Sequence, residues 1–207
     1  MGKRAAAPPV RRSESVASFD LHPHPPYRLD FTVWALRRRR RNEIDRWDGS
    51  YRRALLIGGR PVAARAEQFG TAHQPIVRVR LLGHGGYSTS ELAEARAQMI
   101  RLLGIDVDIE NFCDLADAHP LTRRLKDRFI GVRPPRFPSL LEALVNAVAN
   151  QQLSLEVGLT LLNRLAATLG SAAPGGDGLV AFPTADAILA ASPDNLKALG
   201  FSSRKAE

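Results

Sequence analysis
The chain has 207 residues, 44% of them apolar, enough to bury one large core or two small ones. Lys and Arg (29) outnumber Asp and Glu (21), and the formal net charge of +8 favours a polyanionic partner, nucleic acid ahead of an anionic membrane surface. A single cysteine, Cys113, excludes an internal disulfide framework, suits a reducing cytoplasmic compartment and reads as a small buried side chain; there is no apolar run of about 18 residues to span a membrane and no secretion-type apolar leader.

Residues 1–26 combine Ala-Pro-Pro, paired arginines and HPHPP, and are expected to form a disordered basic tail. His22 and His24 have no partner cluster, so no metal is expected. Order is predicted from Tyr27. Leu29, Phe31, Val33 and Ala35 alternate with polar neighbours and read as a half-buried strand. YRRALLI (51–57), Gly58-Gly59 and RPVAARAEQF (60–69) predict a hairpin, because both central residues of its turn can take positive φ. IVRVRL (76–81) adds a strand with Val77, Val79 and Leu81 inside. Ser88 and Glu91 have capping-box spacing, and Leu92, Ala95, Met99, Leu102 and Leu103 form one stripe, so a helix stopping at Gly104 covers the sheet. Trp34 and Trp47 read as packing residues of the sheet. Residues 27–104 are thus an antiparallel α+β unit, and 105–207 read as helical.

Helices are predicted over 111–118, 121–130, Leu140–Asn150, 155–169, 184–191 and 192–199. In the third, capped by Ser139 with Glu142 three residues on, Leu140, Leu141, Leu144, Val145 and Val148 are expected to face the core, with Glu142, Asn146 and Asn150 on the opposite, polar face. Asn150 suits a left-handed helix end and Ser154 an N-cap, so two helices meet through Gln151, Gln152 and Leu153. The turn is either a plain polar connection or a group of side chains offered to something outside the protein.

RPPRFPSLLEALVNAVANQQLS (133–154) resembles the signature of the DNA-3-methyladenine glycosylase II family, within the helix-hairpin-helix glycosylase superfamily. FPTADAILAASPDNLKALGFSSRKAE (182–207) is similar to the family's following segment, and LDFTVWALRRRRRNEIDRWDG (29–49) to its N-terminal sheet domain. The resemblance implies base excision repair: hydrolysis of the N-glycosidic bond of alkylated purines in double-stranded DNA, by a monomer without metal or cofactor, at the nucleoid. It also implies that the turn enters the minor groove, with Gln152 filling the gap left by a flipped nucleotide and Asn150, Gln151, Leu153 and Ser154 around it. Asn150 stands where the family usually has Gly.

Two elements implied by the resemblance are not found in the sequence: a Leu-Pro-Gly-Ile-Gly type hairpin that holds a DNA phosphate, and the Asp that stabilises the sugar cation. GHGG (83–86) follows a strand and reads as a loop, and PGGDG (174–178) lacks flanking helices. No catalytic residue is assigned, and the chain is expected to be a C-terminally truncated, catalytically incomplete glycosylase. The alternatives are a non-catalytic basic DNA-binding or interaction protein on the same scaffold, and a basic RNA-binding protein. Arg37, Arg38, Arg39, Arg40 and Arg41 are either a solvated turn or a phosphate-contacting loop, since five guanidiniums would release several counterions from DNA.

Overall fold
A computed structural model describes residues 15–83 and 86–207. In chain order the first half comprises β1 (Ser15–Leu21), α1 (Leu29–Arg37), β2 (Arg46–Trp47), β3 (Tyr51–Ile57), β4 (Arg60–Thr71), β5 (Gln74–Leu82) and α2 (Thr89–Leu103). The strands form one antiparallel sheet in the order β1-β5-β4-β3-β2. Gly58 and Gly59, at φ 55° and 73°, make the β3–β4 turn. Tyr51, Leu55 and Ile57, Val62, Ala64 and Ala66, and Val77, Val79 and Leu81 line the inner face, onto which α2 lays Ala95, Met99, Leu102 and Leu103. Ser88 and Glu91 close the expected capping box, and Gly104 ends the helix at φ 58°.

Three expectations for the N-terminal part are corrected. Residues 29–37 are not a strand: Leu29, Val33 and Leu36 share a second, helical spacing and are all buried with Thr32, while Phe31 turns outward onto Phe129 at 6.0 Å. The 15–26 part of the expected disordered tail is ordered. SVASFDL is the edge strand β1, pairing Phe19 with Val79 and Leu21 with Val77, because β5 otherwise presents an unpaired edge. Residues 1–14, together with His84 and Gly85 of the GHGG stretch, lie outside the described residues. Trp34 is also not a sheet residue; it is 65% exposed on α1 and stacked on Phe129. Cys113 is half-buried rather than buried.

The second half comprises α3 (Glu110–Asp117), α4 (Pro120–Phe129), α5 (Leu140–Asn150), α6 (Leu155–Leu169), the short hairpin β6 (Ser171–Ala172) and β7 (Val180–Ala181), then α7 (Ala185–Ala190), α8 (Pro193–Ala198) and α9 (Ser203–Ala206). The mixture is α+β, as the sequence predicts. A second core joins Ala149, Leu159, Leu162 and Leu165 to Phe182 and Phe201, and it also takes in Ile44 from the sheet half. β7 closes part of the sheet's outer face, where Leu179 and Ala181 meet Ala54 and Ala63. Arg133, fully buried, ties the connector to both halves through the carbonyls of His24, Val107 and Val132.

The orientation of α5 is the main departure from the sequence reading. Glu142 and Asn146 are buried, whereas Leu140 (70%), Leu144 (56%) and Val148 (36%) are exposed. The cause is Arg53, at an inward position of β3. Its guanidinium donates to Asp45 at 2.7 Å and to both Glu142 oxygens at 2.5 Å, and Tyr51 also donates to Asp45. Burial would push this guanidinium down, but Asp45 and Glu142 hold it well above its usual value. A buried cation outranks three leucine-type contacts, because leaving it unpaired costs more than exposing apolar surface.

Replacing Glu142 by Ala should therefore destabilise the protein by about 3 kcal/mol, read as a lower urea midpoint; a change under about 0.5 kcal/mol would show that Asp45 suffices alone. A second expectation concerns acid. Bonds from Ser88 and Arg60 hold the Glu91 carboxyl down at about 2, against 4.5 ordinarily. The unfolded chain binds the extra proton in that window, so this contribution is complete above pH 4.5 and fades as pH falls toward about 2. Glu91→Gln should flatten the acid limb of a stability–pH profile, and an unaltered slope would refute the coupling.

Candidate nucleic-acid interface
α5 and α6 pack side by side and meet at Gln151, Gln152, Leu153 and Ser154, all four exposed. Each helix is capped by the residue the sequence singles out or implies: Ser139 accepts from Glu142 N–H and Ser154 from Val157 N–H. The turn itself differs from expectation. Asn150 remains helical, and the positive φ falls on Gln152, at 57°. Gln151 sits at φ −61°, ψ 128°, and Leu153 N–H approaches Asn150 C=O at 3.5 Å. This is a type II turn, whose third position ordinarily holds Gly or Asn.

Asn150 does not join the exposed group. Its amide turns back to the Asn146 carbonyl at 2.8 Å, and its Oδ1 is buried against α6. The helices come this close because residue 158 is glycine: a Cβ there would run into the Asn150 side chain. An isolated Gly inside the helical pattern EVGLTLL is a legible signal of such an approach, though it does not name the neighbour.

The arginine run does not lie between strands but between α1 and β2, alongside α5 and α6. Its members divide. Arg37 donates to the carbonyls of Asp45 and Arg40, and Arg38, at φ 61°, donates to Asn146 Oδ1 at 2.7 Å. Burial pushes the Arg38 guanidinium down, opposed by Asp45 and Glu142. These two are structural. Arg39, Arg40 and Arg41 are exposed. Arg39 lies 3.4 Å from Glu156 in the first turn of α6, and Asn163 of α6 holds the Arg41 carbonyl and the Glu43 N–H. Arg39 is thereby brought beside the exposed turn, and Arg41 lies farther along α6, at Asn163. Lys205 of α9 donates to the carbonyls of Gln151 (2.7 Å) and Ala149 (3.3 Å). The spacing of 54 residues hides that contact from any local pattern.

Among the described residues no group of three His, Cys, Asp or Glu could hold a metal, and no helix is long and apolar enough to cross a membrane. The arrangement suits a polyanion with an opening: an exposed, hydrogen-bonding wedge with a guanidinium, that of Arg39, beside it.

Residues 145–207 match the family model of the HhH-GPD superfamily base excision DNA repair proteins. A 3-methyladenine DNA glycosylase from Archaeoglobus fulgidus superposes with a TM-score of 0.77 at 25% identity, over 91% of this chain and 63% of that one. The Clostridium acetobutylicum 8-oxoguanine glycosylase/lyase, bound to double-stranded DNA with cytosine opposite 8-oxoguanine, is similar in fold (TM-score 0.61, 13% identity, 94% of this chain and 62% of that one). The chain thus spans a little over three fifths of the length of these structures. No curated protein matches it in sequence.

Gly158→Ala gives a direct check on the helix contact. In an open helix the change gains up to about 1 kcal/mol. Here it should cost about 1–3 kcal/mol by overpacking, and much less in an Asn150→Gly background, as a double-mutant cycle by chemical denaturation would read. A stabilising Gly158→Ala would mean that the helices are not in contact there.

Proposed function
We propose that the chain, whose residues 145–207 match the HhH-GPD superfamily of base excision DNA repair proteins and whose fold is similar to that of a 3-methyladenine DNA glycosylase, works in base excision repair, and that its Gln151–Ser154 turn enters the minor groove of double-stranded DNA where an alkylated purine nucleotide has been turned out. The observation that carries this is Gln152, exposed at the apex of the turn that joins two capped helices. Extrusion costs a few kcal/mol, and a side chain that fills the vacated stack offsets part of it. A glutamine does so with hydrogen bonds as well as bulk. Arg39, Arg40 and Arg41 serve as phosphate contacts on the flank, positioning the protein without reading sequence.

The alkylated-purine class is supported by the likeness to the 3-methyladenine glycosylase, which exceeds the likeness to the 8-oxoguanine enzyme in both TM-score and identity. The chemistry is N-glycosidic hydrolysis, for which a carboxylate must stabilise the developing sugar cation. No Asp or Glu near the turn is offered for that role: Glu142 and Asp45 are buried on Arg53, and Glu156 pairs with Arg39. We accordingly assign to these 207 residues engagement of DNA and not the catalytic step.

The test is anisotropy with a duplex carrying a stable abasic-site analogue beside an intact duplex, at several salt concentrations. Binding should be weak, with Kd of order 10⁻⁴–10⁻⁶ M at physiological salt, and should weaken as salt rises. The gapped duplex should be preferred, and Gln152→Ala should remove the preference while leaving the melting temperature unchanged. Salt-independent binding would sink the DNA assignment. Release of 3-methyladenine from methylated duplex, above a no-enzyme control, would show that a catalytic carboxylate lies within these residues.

A further inference from the structure
Two turn types could close the tip of the α5–α6 connection. Type I and type II turns differ by a flip of the central peptide, the one between Gln151 and Gln152. Type I places residue 152 at negative φ, which any side chain accepts. Type II places it at positive φ, which a glutamine accepts reluctantly. Gln152 nevertheless stands at φ 57°. A sparsely populated conformation persists only where the surroundings over-determine it.

The surroundings here are specific. In the type II arrangement, the carbonyl of the central peptide is Gln151 C=O. That oxygen accepts a 2.7 Å bond from the Lys205 ammonium, which also reaches Ala149 C=O at 3.3 Å. Both oxygens lie at the C-terminal end of α5, where carbonyls lack helical donors and the helix dipole favours a cation. A flip to type I would swing the Gln151 oxygen to the other side of the turn and leave Lys205 with the longer bond alone. On the near side, the helix end cannot shift to compensate, because Arg38 holds Asn146 and Asn146 holds Asn150.

We propose that Lys205 is a positioning residue that latches the Gln151–Gln152 peptide in the type II state, and so aims the Gln152 side chain outward for DNA. The latch acts on the backbone, 54 residues away in sequence, and does not itself touch the nucleic acid. The second part of this inference rests on the reading of Gln152 as the side chain that enters DNA; the first part does not.

The experiment separates them. In a type II turn Gln151 Hα lies close to Gln152 H^N and gives a strong NOE, whereas a type I turn gives instead a strong Gln151–Gln152 H^N–H^N NOE. In the free chain the wild type should show the first pattern. Lys205→Met should show the second, with an unchanged melting temperature, and Lys205→Arg should retain the first. Gln152→Gly placed in the Lys205→Met background removes the steric objection to positive φ and should restore the type II pattern. A type II pattern that survives in Lys205→Met overturns the latch. In the anisotropy assay, Lys205→Met should lose most of the preference for the abasic-analogue duplex, while binding to intact duplex changes less than twofold. A changed NOE pattern with the preference intact would leave the latch standing and reject Gln152 as the inserted side chain.

Discussion

The placement of Arg53 on the inner face of β3 is the constraint from which the rest of the arrangement follows. A guanidinium at 1% exposure must have anionic partners, and among the described residues of the sheet half Asp45 alone is paired with it. The second comes from α5, so the polar stripe of that helix, not its leucines, faces the sheet. The pair contributes little net stability over an apolar packing of the same volume. Its effect is on geometry. It sets the rotation of α5 about its own axis, and with it the direction in which the chain leaves Asn150 and the side on which Gln151 and Gln152 emerge.

Arg38 and Lys205 extend the same logic toward the turn. The first reaches α5 one turn beyond Glu142, through Asn146; the second meets the carbonyls at its end. Three cations from three separate parts of the chain thus grip one eleven-residue helix. The excess of basic residues therefore has two uses, and only part of it faces solvent. Net charge alone would have assigned all of it to a partner.

What could be read from the sequence were features whose cause is local. The Gly58-Gly59 turn, the Ser88–Glu91 box, the caps at Ser139 and Ser154 and the alternation of β5 each depend on residues within a few positions, and all are found. The sequence misleads where a distant group decides between two local options. Leu29–Leu36 fits both a strand and a helix period, and packing against α2 selects the helix. SVASFDL is too short to stand apart from its Pro-rich surroundings and acquires its role only from the edge of β5. The apolar stripe of α5 is genuine in period but points the other way, because Arg53 is 89 residues distant from Glu142. Of the candidate site, the turn and the exposed half of the arginine run were legible. The inward side chain of Asn150, the positive φ of Gln152 and the hold of Lys205 were not.

The position of β1 has a consequence for how the chain is made. It precedes the other described strands in the chain, yet among them it pairs with β5, so that Leu21 meets Val77 and Phe19 meets Val79. At about 5–20 residues per second, its partner leaves the ribosome roughly 3 to 11 s later. During that interval the β3–β4 hairpin can close, because its two strands are consecutive and share a two-residue turn. β1 must wait with Phe19 and Leu21 uncovered. It therefore completes the sheet as a late addition, after the element it protects has already been built.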